Sequence, residues 1–177
     1  GELQGPVVGT LMSNLGLALA LKRDGVAFER AQVGDRHVFE RLRALGANIG
    51  GESSGHILCL DRATTGDGIV SALQVLAAMV AAGESLQTLV QPVDKCPQTL
   101  VNVRVTRGSA GTLMDDERVT SAVREVESSL GEEGRVLLRP SGTEPLLRVM
   151  VEGMDAVAVE DCANRLADTV RDAAGAA

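Results

Sequence analysis

The chain has 177 residues, 45% hydrophobic and 23% charged, with a net charge of −7. Those proportions belong to a globular protein with room for two small domains. The acidic balance excludes nucleic acid as the natural partner, because phosphate backbones are held by clustered Lys and Arg; with Phe28 and Phe39 its only aromatics, the chain also lacks a stacking platform for bases or sugars.

In chain order, Val7-Val8-Gly9-Thr10-Leu11-Met12 reads as a buried strand. Asn14 is placed to cap a helix carrying Leu15, Ala18 and Leu19, which Asp24-Gly25 ends. A second strand is expected over residues 27–33 and a second helix over 36–45, with Val38, Leu42 and Leu45 on one face and Asp35 as its cap. Strand, helix, strand, helix is the order of a parallel sheet with crossover helices. After a Gly-rich stretch comes the apolar strand 57–60, then residues 64–68, where Asp67 caps a long helix over 69–82. Ile69, Leu73, Leu76 and Val80 form a single stripe on that helix, and Ser85-Leu86 starts a further turn.

Pro92 and Pro97 interrupt the pattern, which sets the expected domains at 1–90 and 99–177 with a linker over 91–98. Residues 99–106 alternate as a half-exposed strand. Asp115 and Asp116 open a helix bearing Val119, Val123, Val126 and Leu130. Two apolar strands follow, and the last helix shows Val159, Ala163, Leu166 and Val170 on one face, with fraying expected from Ala173. The fold class is therefore α/β: a parallel-sheet α/β domain, then a small α+β domain with helices on one side of an antiparallel sheet. The cysteines Cys59, Cys96 and Cys162 are too scattered for a disulfide framework or a zinc site and read as buried residues in a reducing compartment. No run suits a membrane span or a signal peptide, so no membrane partner and a cytoplasmic location are expected.

Two stretches carry chemistry. Arg139-Pro140-Ser141-Gly142-Thr143-Glu144-Pro145 joins the two apolar strands. Arg139 offers a planar fork of donors, Ser141 and Thr143 offer hydroxyls, and Gly142 lets backbone approach a ligand, a set that suits a phosphate monoester. The plain alternative is a turn whose Ser and Thr bond their own backbone. Glu144 would repel phosphate, so it is expected to orient Arg139 or to face solvent. The second stretch, Gly50-Gly51-Glu52-Ser53-Ser54-Gly55-His56, sets Glu52, Ser54 and His56 at alternate positions, which share a face if the segment is extended. These groups suit sugar hydroxyls, with His56 able to exchange a proton; the alternative is a Gly-rich turn with a structural histidine. The flanking glycines would make room for the ligand.

Taken with Val7 to Asn14, Val33-Gly34-Asp35-Arg36, Thr64-Thr65-Gly66-Asp67-Gly68 and Leu146 to Gly153, these loops resemble the C-terminal half of an α-D-phosphohexomutase, most of all the bacterial branch acting on glucosamine phosphate. The resemblance implies the third domain of such an enzyme, N-terminally truncated, followed by its TATA-binding-protein-like fourth domain. It implies that Glu52, Ser54 and His56 grip the sugar, and that Arg139, Ser141, Gly142 and Thr143, with Arg148 in support, hold the phosphate not being transferred. The family often has Lys where Pro140 stands, so one charge is missing here. The resemblance further implies a phosphoserine and a Mg²⁺-holding Asp-rich loop in domains preceding these, neither found in this sequence. This stretch alone is thus expected to bind no metal and to be inactive, although it belongs to an enzyme that interconverts glucosamine 6-phosphate and glucosamine 1-phosphate for cell-wall precursors. Its expected partners are a hexosamine phosphate and the missing N-terminal domains. The alternatives are a mannose or glucose phosphate mutase fragment, and a phosphosugar-binding module without turnover.

Overall fold

The computed structural model describes residues 3–175, and the chain divides into two compact units between Lys95 and Cys96. In the first unit the elements are β1 (Val7–Thr10), α1 (Leu15–Arg23), β2 (Phe28–Ala31), α2 (Asp35–Leu45), β3 (Ile49–Gly51), β4 (Ile57–Cys59), α3 (Gly68–Ala82) and α4 (Leu86–Val90). The sheet order is β2-β1-β3-β4. Strand β1 runs parallel to both β2 and β3, whereas β4 returns antiparallel to β3, with Gly51 opposite Ile57. The sheet is therefore mixed. An apolar run such as 57–60 looks the same in either direction, so periodicity alone could not separate the two.

Helix α2 makes the core of this unit. Val38 and Leu42, one turn apart, are fully buried against Val8 of β1, with Ala31, Ala47 and Leu58 around them. The caps are local chemistry. Asn14 accepts from the Gly16 N–H at 3.0 Å, and Asp67 Oδ1 accepts from the N–H groups of Ile69 at 2.8 Å and Val70 at 2.9 Å, each satisfying an orphan donor of a first turn. Asp35 differs from expectation. Gly34 holds the cap position of α2, and Asp35 lies inside the first turn with its carboxylate on the Arg36 N–H. Arg36 itself pairs with Glu40 at 2.8 Å.

The stripe on α3 is also real as a pattern, but it faces outward. No residue of α3 is buried, and Ile69, Leu73, Leu76 and Val80 are between 53% and 83% exposed. Periodicity reports that a helix has an apolar face; it does not supply the element that covers it.

The second unit contains β5 (Gln98–Arg104), α5 (Ala110–Met114), α6 (Glu117–Leu130), a 3-10 turn (Gly131–Glu133), β6 (Arg135–Pro140), β7 (Leu146–Glu152) and α7 (Ala156–Gly175). Its sheet is antiparallel in the order β5-β7-β6, so β7 is central. Leu147, Val149 and Val151 of β7 point to the helices and are fully buried. They meet Val119 and Val126 of α6 and Val159, Ala163, Leu166 and Val170 of α7. Contrary to the expected fraying, α7 continues to Gly175 with Ala173 only 1% exposed. Leu166, Val170 and Ala173 keep the i, i+4, i+7 spacing, so the buried face persists into the last turn. Glu152, wholly buried on the opposite face of the sheet, is held by Arg135 Nε at 2.6 Å. The cysteines are all buried and free, and burial pushes the Cys59 thiol up.

Helix α6 opens on Asp116, which accepts from the Arg118 backbone N–H at 2.9 Å and from its guanidinium at 3.0 and 2.8 Å. The Arg118 side-chain hydrogen bonds are the largest cause that lowers the Asp116 carboxyl to about 2. An unfolded Asp titrates near pH ~3.9. Because the folded value is depressed, the cap's contribution is fully present above that pH and is lost as pH falls toward 2. A ¹³C carboxyl titration should find Asp116 still ionised at pH ~3, and Arg118→Ala should return its midpoint toward the ordinary Asp range.

Candidate functional site

In the first unit, parallel strands β1, β2 and β3 end on the same edge of the sheet, the edge where open α/β sheets bind ligands. The loop 52–56 lies there as the connection of the β3–β4 hairpin. It is a tight turn and not an extended segment: the Gly55 N–H donates to the Glu52 carbonyl and the Glu52 N–H to the His56 carbonyl, both at 3.0 Å. Gly55 takes φ +95°, a conformation that side chains rarely adopt. Gly51 has a different reason. A Cβ there would stand 2.8 Å from the His56 carbonyl oxygen, so this glycine makes room for the hairpin partner and not for a ligand.

The turn does bring Glu52, Ser54 and His56 together. The Glu52 side chain is only 12% exposed; its Oε2 accepts from the Gly34 N–H at 3.2 Å and its Oε1 from the Ser54 hydroxyl at 2.8 Å. His56 Nδ1 lies 3.3 Å from Ser54 Oγ and 3.5 Å from Glu52 Oε1. With the Ser54 hydroxyl donating to Glu52, both neighbours of Nδ1 are acceptors, so Nδ1 carries the proton. In neutral His56 that leaves Nε2 as a bare acceptor on a ring 56% exposed. Glu52 is the anchor, while Ser54 and His56 present polar atoms outward. The loop 64–67 adjoins them, since a Cβ on Gly66 would meet the His56 ring at 3.6 Å.

One contributor had no sequence signal. Arg30 Nη1 donates to the carbonyls of Thr10 at 3.0 Å and Ser13 at 2.6 Å, fixing the loop after β1 at the same sheet edge. Its place in a strand read only as one polar alternation.

In the second unit, residues 141–145 turn between β6 and β7. Ser141 Oγ accepts from the Glu144 N–H at 3.3 Å, the turn bond of the plain alternative, yet its own O–H remains available to a ligand. Ser141, Gly142 and Thr143 line a cavity of about 320 Å³ together with residues 105–108 of the β5–α5 loop. Arg139 is not among the lining residues. It pairs across the strands with Arg148 on the sheet face away from the helices, and the Nε of each is buried with no hydrogen-bond partner. Glu144, 59% exposed, faces solvent, one of the two expected placements, and stands 3.9 Å from Arg148. Two guanidinium groups beside a single, distant carboxylate leave donor capacity for an anion. Among the described residues no three His, Cys, Asp or Glu side chains are grouped to hold a metal ion, so this donor set does not fit Mg²⁺. Among the described residues no helix is long and apolar enough to cross a membrane.

An α/β unit with a polar loop at its strand ends is thus followed by an α+β unit with a hydroxyl-rich turn. Residues 1–96 match the phosphoglucomutase/phosphomannomutase alpha/beta/alpha domain III, and residues 100–169 match the C-terminal domain of the same family. The chain belongs to the phosphoglucomutase/phosphomannomutase family. Within it, the chain is 61% identical to a phosphoglucosamine mutase of Thioalkalivibrio sulfidiphilus over 98% of its length, and 56% identical to one of Escherichia coli over 97%. It spans 39% and 38% of those two relatives. Among solved structures, N-acetylphosphoglucosamine mutase of Aspergillus fumigatus superposes with a TM-score of 0.83 at 19% identity, covering 97% of this chain and 39% of that one. The same fungal enzyme has been solved in complex with GlcNAc-6P and magnesium, with a TM-score of 0.81 at 20% identity, covering 97% of this chain and 39% of that one.

Proposed function

We propose that this stretch is the sugar- and phosphate-holding part of a phosphoglucosamine mutase, an isomerase interconverting glucosamine 6-phosphate and glucosamine 1-phosphate for cell-wall precursor synthesis. The observation that carries it is the Glu52–Ser54–His56 network at the ligand-binding edge of the sheet, in a chain 61% identical to a phosphoglucosamine mutase. Ser54 and His56 would meet sugar hydroxyls, Ser54 through its lone pairs and His56 through Nε2. A bare Nε2 can also take a proton from a hydroxyl that attacks phosphorus and return it later, the general-base and general-acid roles of one imidazole. Ser141, Gly142, Thr143, Arg139 and Arg148 would hold the phosphate that stays on the sugar. The phosphoserine and the Mg²⁺ that neutralises phosphoryl charge belong to the remainder of the longer relatives in this reading, together with the partner domains.

The reading has a direct test. The purified 177-residue chain should bind glucosamine 6-phosphate yet show no turnover to glucosamine 1-phosphate in a coupled assay with Mg²⁺ and glucosamine 1,6-bisphosphate. Turnover above background would mean that this stretch contains the phosphoryl-transfer groups, and would overturn the division of labour.

A further inference from the structure

The cavity beside the 141–143 turn has a second wall. It comes from the β5–α5 loop, which is tied to the turn by the Val105 N–H donating to the Pro145 carbonyl at 3.0 Å. That loop is itself built. The Ser109 N–H and hydroxyl both donate to the Thr106 carbonyl, at 3.0 and 2.8 Å, and Gly108 sits at φ +88°. The tight turn sets Arg107, its second residue, into the cavity lining. The charged residues of that lining are Arg107 and Glu144. Glu144 leans on Arg148 at 3.9 Å, while Arg107 makes no ion pair and donates no side-chain hydrogen bond among the described residues. Arg107, an exposed residue with no ion pair among the described residues, therefore lines the same cavity of about 320 Å³ as Ser141 and Thr143, in a chain with a net charge of −7.

We propose that Arg107 is a ligand of the phosphate held in this cavity, closing on the anion from the wall opposite Ser141, Gly142 and Thr143. A phosphate monoester dianion needs converging donors and compensating charge. The 141–143 turn gives hydroxyls and backbone N–H groups, and Arg107 would supply the charge at the cavity. The inference rests on the reading of 141–143 as a phosphate loop, and it assigns a contact to a different loop.

The test is an NMR titration of the full chain with inorganic phosphate and with glucosamine 6-phosphate at fixed ionic strength. Four proteins are compared with wild type: Arg107→Gln, Arg107→Lys, the double variant Ser141→Ala/Thr143→Val, and Arg124→Gln as an exposed control on α6. We expect Arg107→Gln to raise the Kd for both ligands about tenfold or more, Arg107→Lys to recover part of that loss, and Arg124→Gln to change little. Weakening by the double variant with none by Arg107→Gln would overturn the role of Arg107 and leave the loop reading standing. Failure of both to weaken binding would overturn the two together. Equal weakening by Arg124→Gln and Arg107→Gln would mean a general charge effect and would also overturn the contact. Each variant's amide spectrum shows whether it is folded, and Arg107, at an exposed turn, can be replaced without opening the core.

Discussion

Leu166→Ala should destabilise the chain by about 2–5 kcal/mol, with the denaturant midpoint falling and the slope unchanged. Leu166 is 1% exposed at the middle of α7, where its side chain lies between α6 and the central strand β7 among Val119, Leu147, Val149 and Val170. Truncation removes buried methyl groups and leaves a cavity that β7, hydrogen-bonded on both edges, cannot move to fill. The contrast is Leu73→Ala on α3. That side chain is 56% exposed, so its loss should shift stability by roughly 0.5 kcal/mol or less. Both residues sit on an i, i+3, i+4 stripe, and equilibrium unfolding followed by far-UV circular dichroism would separate them.

Glu52→Ala should have the largest effect on ligand binding in the first unit. The carboxylate accepts from Gly34 and Ser54 and holds His56 in its tautomer. Without it, Ser54 and His56 lose the partner that fixes their direction, and the Gly34 N–H loses its acceptor. Hydrogen bonds to a charged group contribute about 1.5–3 kcal/mol, so affinity for glucosamine 6-phosphate should fall by about tenfold or more. Glu52→Gln keeps one carbonyl acceptor but brings an NH₂ against a neighbour that needs an acceptor, and should recover only part of the loss. Titration of both variants, monitored by the His56 ring resonances, checks the ordering.

Much of this arrangement could be read from residues alone, and the exceptions have physical reasons. Asn14, Asp67 and Asp116 announce helix starts because a short polar side chain before an apolar run has one use, to accept an orphan N–H. Val38 and Leu42, and the α7 face, follow from helical spacing. Glu52, Ser54 and His56 converge as expected, but through a hairpin turn around Gly55 and not along an extended strand. The meaning of Gly51 depended on a carbonyl five residues away. Arg139 stands on β6, and strand alternation turns its side chain to the sheet face beside Arg148, a placement that the loop's composition alone does not show. The placements of Arg30 at the sheet edge and of Arg107 beside the 141–143 turn are long-range, which no local pattern contains. The exposed stripe of α3 shows the same boundary from the other side, since its pattern is plain and its residues stay exposed.

Two loops, one in each unit, are proposed to hold the same kind of ligand, a hexosamine phosphate. A ¹⁵N-HSQC titration of the chain with glucosamine 6-phosphate tests it most directly, with inorganic phosphate run in parallel. Glucosamine 6-phosphate should shift the amides of residues 51–57 and of residues 141–146, while phosphate alone should shift only the second set. Perturbation confined to other regions, or a spectrum unchanged at millimolar ligand, would contradict the account.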